Sequence, residues 1–94
     1  MTGAMRRVVR PRDGIVAERV GDELLLLDVD AGLCSSLNRT GALLWEALPG
    51  TEADLARAVA DRYPSAEGRA TGDVRSWVDA MVAERWVTVA EESS

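Results

Sequence analysis
The hydrophobic pattern of this chain changes period at Asn38, and that change fixes the order in which it builds structure. Upstream, apolar runs of strand length are separated by glycine-containing connections. Ile15–Val20 is rich in branched residues, Gly21-Asp22 follows, and residues 23–29 form a second run around Leu24, Leu25, Leu26 and Leu27. Glycine first in a two-residue connection suits a II′ turn, which predicts an antiparallel hairpin. Asp30-Ala31-Gly32 is a second tight connection, with glycine where a left-handed residue is usually needed. Leu33–Leu37 then reads as a third strand, with Leu33, Ser35 and Leu37 on one face and Cys34 and Ser36 on the other.

Downstream the spacing becomes helical. Asn38 is a strong N-cap, and Leu44, Trp45 and Leu48 follow along one face until Pro49-Gly50 stops the helix. Thr51-Glu52-Ala53-Asp54 resembles a capping box with Asp in place of the usual Glu, and Leu55, Val59 and Tyr63 recur one turn apart before Pro64. Residues 65–70 are small and polar, which predicts a loop, and Thr71 or Asp73 is placed to cap a third helix. Its stripe holds Val74, Trp77, Val78, Met81 and Val82. Val87 and Val89 alternate with Thr88 and suit a short final strand. The expected fold class is α+β: a three-stranded antiparallel sheet followed by three helices, with winged helix-turn-helix character. Residues 1–12 lack sustained periodicity and read as a flexible basic arm, residues 13–90 as the one domain, and residues 91–94 as a frayed acidic tail.

Composition excludes more than it assigns. At 94 residues, with 47% apolar and 29% charged types, the chain is a globular domain too short for most enzymes that enclose a substrate. There is no histidine and one cysteine, so histidine triads, histidine metal sites and an internal disulfide are all excluded. The net charge of −5 is uneven: residues 1–12 hold four of the eleven arginines and no acid, leaving seven arginines against sixteen acids. An acidic body repels a phosphate backbone, so no nucleic-acid partner is expected. No apolar run approaches the ~20 residues that span a bilayer. The N-terminal arginines precede no apolar stretch, so a cytoplasmic protein without a membrane partner is expected.

Individual residues offer little chemistry. Cys34 sits mid-strand without a base, cation or helix terminus to activate it, and a small, partly buried side chain is the simpler expectation. Asp28 and Asp30 lack the glycine and terminal Glu of a calcium loop and read as strand-end and turn residues; neither a metal nor a cofactor is expected. No glycine segment has the lysine of a phosphate-cradling loop. The helical acids, including Asp54, Asp61, Asp73 and Asp79, never fall one turn apart and read as solvated faces. The tryptophans carry more information. Trp45 is simplest as core, Trp86 follows the third helix, and Trp77 lies about 60° round that helix from Val74, where a core lid and a groove wall are equally good readings.

Leu37-Asn38-Arg39-Thr40-Gly41-Ala42-Leu43-Leu44-Trp45, directly after the third strand, resembles the signature of PqqD-like proteins. The downstream order agrees: a Gly after the first helix, a Thr-capped second helix ending near Tyr63-Pro64, and a third helix with Val74, Trp77, Val78 and Met81 in its apolar positions. The similarity spans residues 13–89. Trp86 departs from it, since this family commonly has a small residue there. The resemblance implies a non-catalytic RiPP recognition element, a domain that binds the leader segment of a ribosomally made, modified peptide. It is most similar to free-standing lasso-peptide proteins that deliver the precursor to a leader peptidase or other modifying enzyme.

In such domains the leader adds as a strand to the edge of the third strand, in the cleft against the third helix. That implies peptide-binding roles for Leu33, Cys34, Ser35, Ser36 and Leu37 on the strand and for Asp73, Val74, Arg75, Trp77, Val78 and Met81 on the helix. The residues are compatible with it: a short polar strand leaves a backbone edge that needs a regular partner. The same edge could instead pair with a second copy of the chain. Two rival readings remain, a peptide chaperone for a radical enzyme in quinone cofactor synthesis and a winged-helix DNA-binding module. The latter fits poorly, because residues 71–85 set Arg75 and Arg85 against Asp73, Asp79 and Glu84.

Overall fold
The computed structural model describes residues 5–93. The fold is α+β. Its strands are β1 (Met5–Pro11), β2 (Ile15–Val20), β3 (Glu23–Asp28), β4 (Leu33–Leu37), β5 (Gly50–Thr51) and β6 (Val87–Ser93). Its helices are α1 (Arg39–Glu46), α2 (Glu52–Arg62) and α3 (Ala70–Ala83), with a 3-10 helix at Pro64–Arg69. Among the described residues the strands form two three-stranded antiparallel sheets, ordered β2-β3-β4 and β5-β1-β6.

The β2-β3-β4 meander follows its turn chemistry. Gly21 and Gly32 both take positive φ, +63° and +68°, which a side chain would strain. The second turn is closed by Gly32 N–H donating to the Asp28 carbonyl (2.8 Å) and Ala31 N–H donating to Asp28 Oδ1 (3.1 Å). The register pairs Leu24 with Leu37, Leu26 with Ser35 and Asp28 with Leu33. Leu24, Leu26 and Leu37 are buried, so this parity faces the helices. Cross-strand partners on the opposite face are Val16, Leu27 and Cys34. On that face Val16 and Cys34 are exposed, so Cys34 is not partly buried as its sequence context suggested.

Two of the three expected helix caps form. The Asn38 side chain accepts from Gly41 N–H at 2.9 Å. Thr51 Oγ1 accepts from Asp54 N–H (3.1 Å) while Asp54 Oδ2 accepts from Thr51 N–H (3.0 Å), so Asp completes the box in place of Glu. Those reciprocal bonds hold the Asp54 carboxyl below its ordinary range, the backbone N–H being the larger cause. The start of α3 differs from expectation. Residues 65–70 are not a loop: the 3-10 turn runs directly into α3, whose N-cap is Arg69 with no side-chain cap. Burial explains the difference, because Ala66 and Ala70 are packed in the core and draw the segment inward. Thr71 and Asp73 lie within the first turn, and Val82, expected in the apolar stripe, is exposed.

The largest departure concerns the ends of the chain. Residues 5–11 are not a flexible arm, and residues 91–93 are not frayed; they pair as β1 with β6, while residues 1–4 and 94 lie outside the described residues. Charge supplies part of the reason. The register sets Arg6 opposite Glu92 and Arg7 opposite Glu91, and the Arg10 guanidinium donates to Glu92 at 2.9 Å. Opposite-charge cross-strand pairs contribute roughly 0.2–1 kcal/mol each. Burial supplies the rest, since Val8, Val9 and Val87 are all in the apolar interior. The final strand is thus longer than residues 87–89, and it joins the N-terminal strand, not the meander.

Candidate functional site
In the meander, β4 pairs only with β3, so among the described residues its other edge presents unpaired backbone N–H and C=O groups. Unpaired buried or semi-buried backbone groups are costly, and an edge of this kind is a template for another strand. Beside this edge lie two cavities. One, of about 550 Å³, lies where β3 starts and β4 gives way to α1; its lining includes Glu23, Asn38, Ser65, Arg69 and Asp73. The other, of about 340 Å³, lies where β4 begins, between Leu33 and the Glu84–Trp86 segment. The first reaches Asp73 in the first turn of α3 and the second reaches Glu84 just after its last turn.

The predicted site residues divide within this geometry. Leu33 is 57% exposed although its parity points toward the helices, so it is an apolar side chain with little covering it. Ser35 is half-buried and Leu37 is buried in the core. Cys34 and Ser36 lie on the outer face, where Ser36 Oγ donates to Glu23 Oε1 at 3.0 Å. On α3, Val74 and Val78 have no exposed surface and Met81 is 5% exposed. These three pack α3 onto the core and present almost nothing to a docking peptide. Trp77 is half-buried against that core. It stands about 40° from Asp73 and about 20° from Glu84 round the helix, between the residues that line the two cavities.

Arg75 is separated from the others. It lies about 160° from Trp77 round α3 and pairs with Glu52 of α2 at 3.5 Å, beside β1 and β5. Asp73 lines the larger cavity, paired with Arg69 at 3.5 Å. At the same end Arg39 donates to Asp22 at 2.6 Å; that bond and the guanidinium charge lower the pKa of Asp22, and the same bond with the carboxylate charge raises that of Arg39. Two residues not singled out as site residues matter here. Asp28, the one buried charged residue among those described, receives a hydrogen bond from the Arg12 guanidinium, and Trp86 is buried against the smaller cavity. The family departure at Trp86 was the one signal in the sequence; Arg12 gave none, since its partners lie far along the chain.

Among the described residues no cluster of acids and cysteine could hold a metal ion. No helix of the described residues is long and apolar enough to cross a membrane. An open strand edge is a template to which an extended peptide can add.

The sequence comparison gives the family. The profile described as Coenzyme PQQ synthesis protein D (PqqD) matches residues 23–87, and the chain belongs to that family. No curated protein matches it. Among solved structures it is similar to "TbiB1 in Complex with the TbiA(beta) Leader Peptide", with a TM-score of 0.76 at 20% identity, covering 83% of this chain and 93% of that one. At that identity the likeness establishes a shared fold.

Proposed function
We propose that this protein is a non-catalytic recognition element that binds the leader segment of a ribosomally made precursor peptide by strand addition to β4. The observation that carries the proposal is the unpaired β4 edge, with one cavity near its end that reaches Asp73 of α3 and another at its start that reaches Glu84. TbiB1, which shares the fold, is in complex with a leader peptide, and this supports a partner of the same kind here. Backbone pairing would supply affinity, and side chains flanking the strand would supply sequence choice. Leu33, Ser35, Asp73 and Trp77 are the residues placed to make those contacts; Cys34 and Ser36 border the added strand from the outer face.

In this reading the bound leader is handed to a separate leader peptidase or modifying enzyme in the cytoplasm. The family match favours a second reading in which the same edge presents a peptide to a radical enzyme of quinone cofactor synthesis. Titration with two synthetic peptides separates them: the leader of any ribosomal precursor peptide found encoded beside this gene, and the substrate peptide of a quinone pathway. Saturable binding of the first alone supports the leader-binding reading, binding of the second alone supports the alternative, and binding of neither refutes both.

A further inference from the structure
We propose that β6 is a second docking edge of this protein and that its occupant is β6 of another copy of the chain, added antiparallel about a two-fold axis at Ala90. The proposal is independent of the peptide-binding reading, since it uses the other sheet and leaves β4 free. Hydrogen-bond parity identifies the edge. β6 ends the order β5-β1-β6, so among the described residues it pairs with β1 alone. Arg12 N–H donates to the Trp86 carbonyl at 3.0 Å, and these two residues continue the β1–β6 register one step beyond Pro11 and Val87. Hydrogen-bonded and non-hydrogen-bonded pairs alternate along an antiparallel ladder. Thr88, Ala90 and Glu92 therefore turn their N–H and C=O groups to β1, whereas Val87, Val89 and Glu91 turn theirs to the open side. Pro11 agrees with this parity, since it has no N–H to give and falls opposite Val87 in a non-hydrogen-bonded pair.

Nothing in β6 guards that open side. Edge strands are commonly blunted by lysine, proline or a bulge. Val87–Ser93 contains neither residue, and its register with β1 runs without interruption. Its two acids are neutralised from behind: Arg10 donates to Glu92 at 2.9 Å, and Arg7 lies opposite Glu91. The sequence of the strand then selects the partner. Paired with its own copy about Ala90, all seven residues find a counterpart, with Val89 opposite Glu91 of the other copy, Thr88 opposite Glu92 and Ala90 opposite itself. Val89 and Glu91, whose amides face outward, thereby exchange both bonds of a hydrogen-bonded pair. Each glutamate stands between an arginine of its own β1 and an uncharged residue of the other copy. An axis at Val89 would pair fewer residues, and one at Glu91 would oppose two carboxylates. The same patch on both copies closes as a two-fold dimer, joining the sheets as β5-β1-β6-β6-β1-β5.

The test is sedimentation and amide exchange of the full chain over a range of concentrations, in about 0.15 M salt to screen the net charge of −5 on each copy. The sedimentation coefficient should rise toward that of a dimer. Exchange at Val89 and Glu91 should slow over the same range, while Thr88 and Ala90, already bonded to β1, stay protected throughout. Ala90 is exposed, so Ala90→Lys and Ala90→Glu should fold as the wild type does. Each alone sets like charges opposite each other at the axis and should weaken association at least ~threefold. An equimolar mixture of the two should restore it, because lysine then faces glutamate. Glu91→Pro removes an outward N–H without touching the β1 ladder and should weaken association at least ~tenfold. A chain that stays monomeric up to about 1 mM overturns the proposal. So does a dimer protected in Leu33–Leu37 and not at Val89 and Glu91, or one in which the two Ala90 variants do not rescue each other.

Discussion
The guanidinium of Arg12 bridges Asp28 and the carbonyl of Arg85, tying the end of β3 to the segment that follows α3. Asp28 also accepts from Ala31 N–H in the β3–β4 turn, so the pair sits under the connection that positions β4. Arg12→Ala should leave that carboxylate without its charged partner. Solvent reaches part of the pair, and a loss of about 1–3 kcal/mol in urea denaturation is expected. Asp28→Asn, which keeps an acceptor of the same shape, should cost less. Equal stability of Arg12→Ala and the wild type would show that the pair is solvated and holds nothing.

Strand addition to β4 has a periodic signature. Successive residues of a strand point their amides to opposite sides, so only alternate leader amides can face the β4 edge. N-methylation of the leader, one position at a time, should weaken binding at least tenfold at every second residue across the length of β4 and leave the intervening positions unaffected. Amide exchange in Leu33–Leu37 should slow in parallel. Tolerance of N-methylation throughout would place the peptide elsewhere.

What the sequence disclosed and what it withheld follow from the range of the interactions. Asn38 and the Thr51–Asp54 box act over three residues, and the glycine turns at 21–22 and 30–32 each act within one hairpin, so local rules read them directly, whereas the unbroken Leu24–Leu27 run did not say which leucines face inward. Arg6 and Arg7 find Glu92 and Glu91 from opposite ends of the chain, and no local pattern announces a pair of that separation. The stripe of α3 was visible, but periodicity gives angles without orientation. It could not say that Val74 and Val78 face the core while Trp77 lies half-buried at its margin and Arg75 faces α2. Likewise the parity of Cys34 was readable, and the absence of a covering layer above it was not.

The capping carboxylate gives stability a defined pH dependence. Asp54 is held below its ordinary value of 3.8 by the bonds from Thr51, and Asp22 is held low by Arg39. The unfolded chain therefore takes up these protons more readily than the folded one, and stability rises with pH through the interval between the two values. Their contribution should be complete above the ordinary carboxylate range and lost as pH falls below it through the lowered values. Thermal melting of Asp54→Ala should lie below the wild type at neutral pH and converge toward it in acid. A gap that stays constant with pH would mean that the carboxylate's charge has no part in the cap.

Trp77, Val78 and Met81 share one stripe of α3 but differ in what they cover. Val78 and Met81 are buried in the core, whereas Trp77 is half-buried against it. Met81→Ala should cost about 2–5 kcal/mol of folding stability through the lost contacts and the cavity it leaves. Val78→Ala should act in the same direction by less. Leader affinity of either variant, measured where it remains folded, should stay within twofold of wild type, because neither side chain has appreciable surface for a peptide to touch. Trp77→Ala should reverse the balance. Its partly exposed ring loses less packing than a fully buried one, while removal of an aromatic anchor typically costs at least ~2 kcal/mol of binding, roughly thirtyfold in Kd. Urea denaturation and leader titration of the three variants measure both quantities. If Trp77→Ala unfolds easily yet binds the leader as wild type does, Trp77 is a lid on the core, and recognition must come from the β4 edge and the cavities at its two ends.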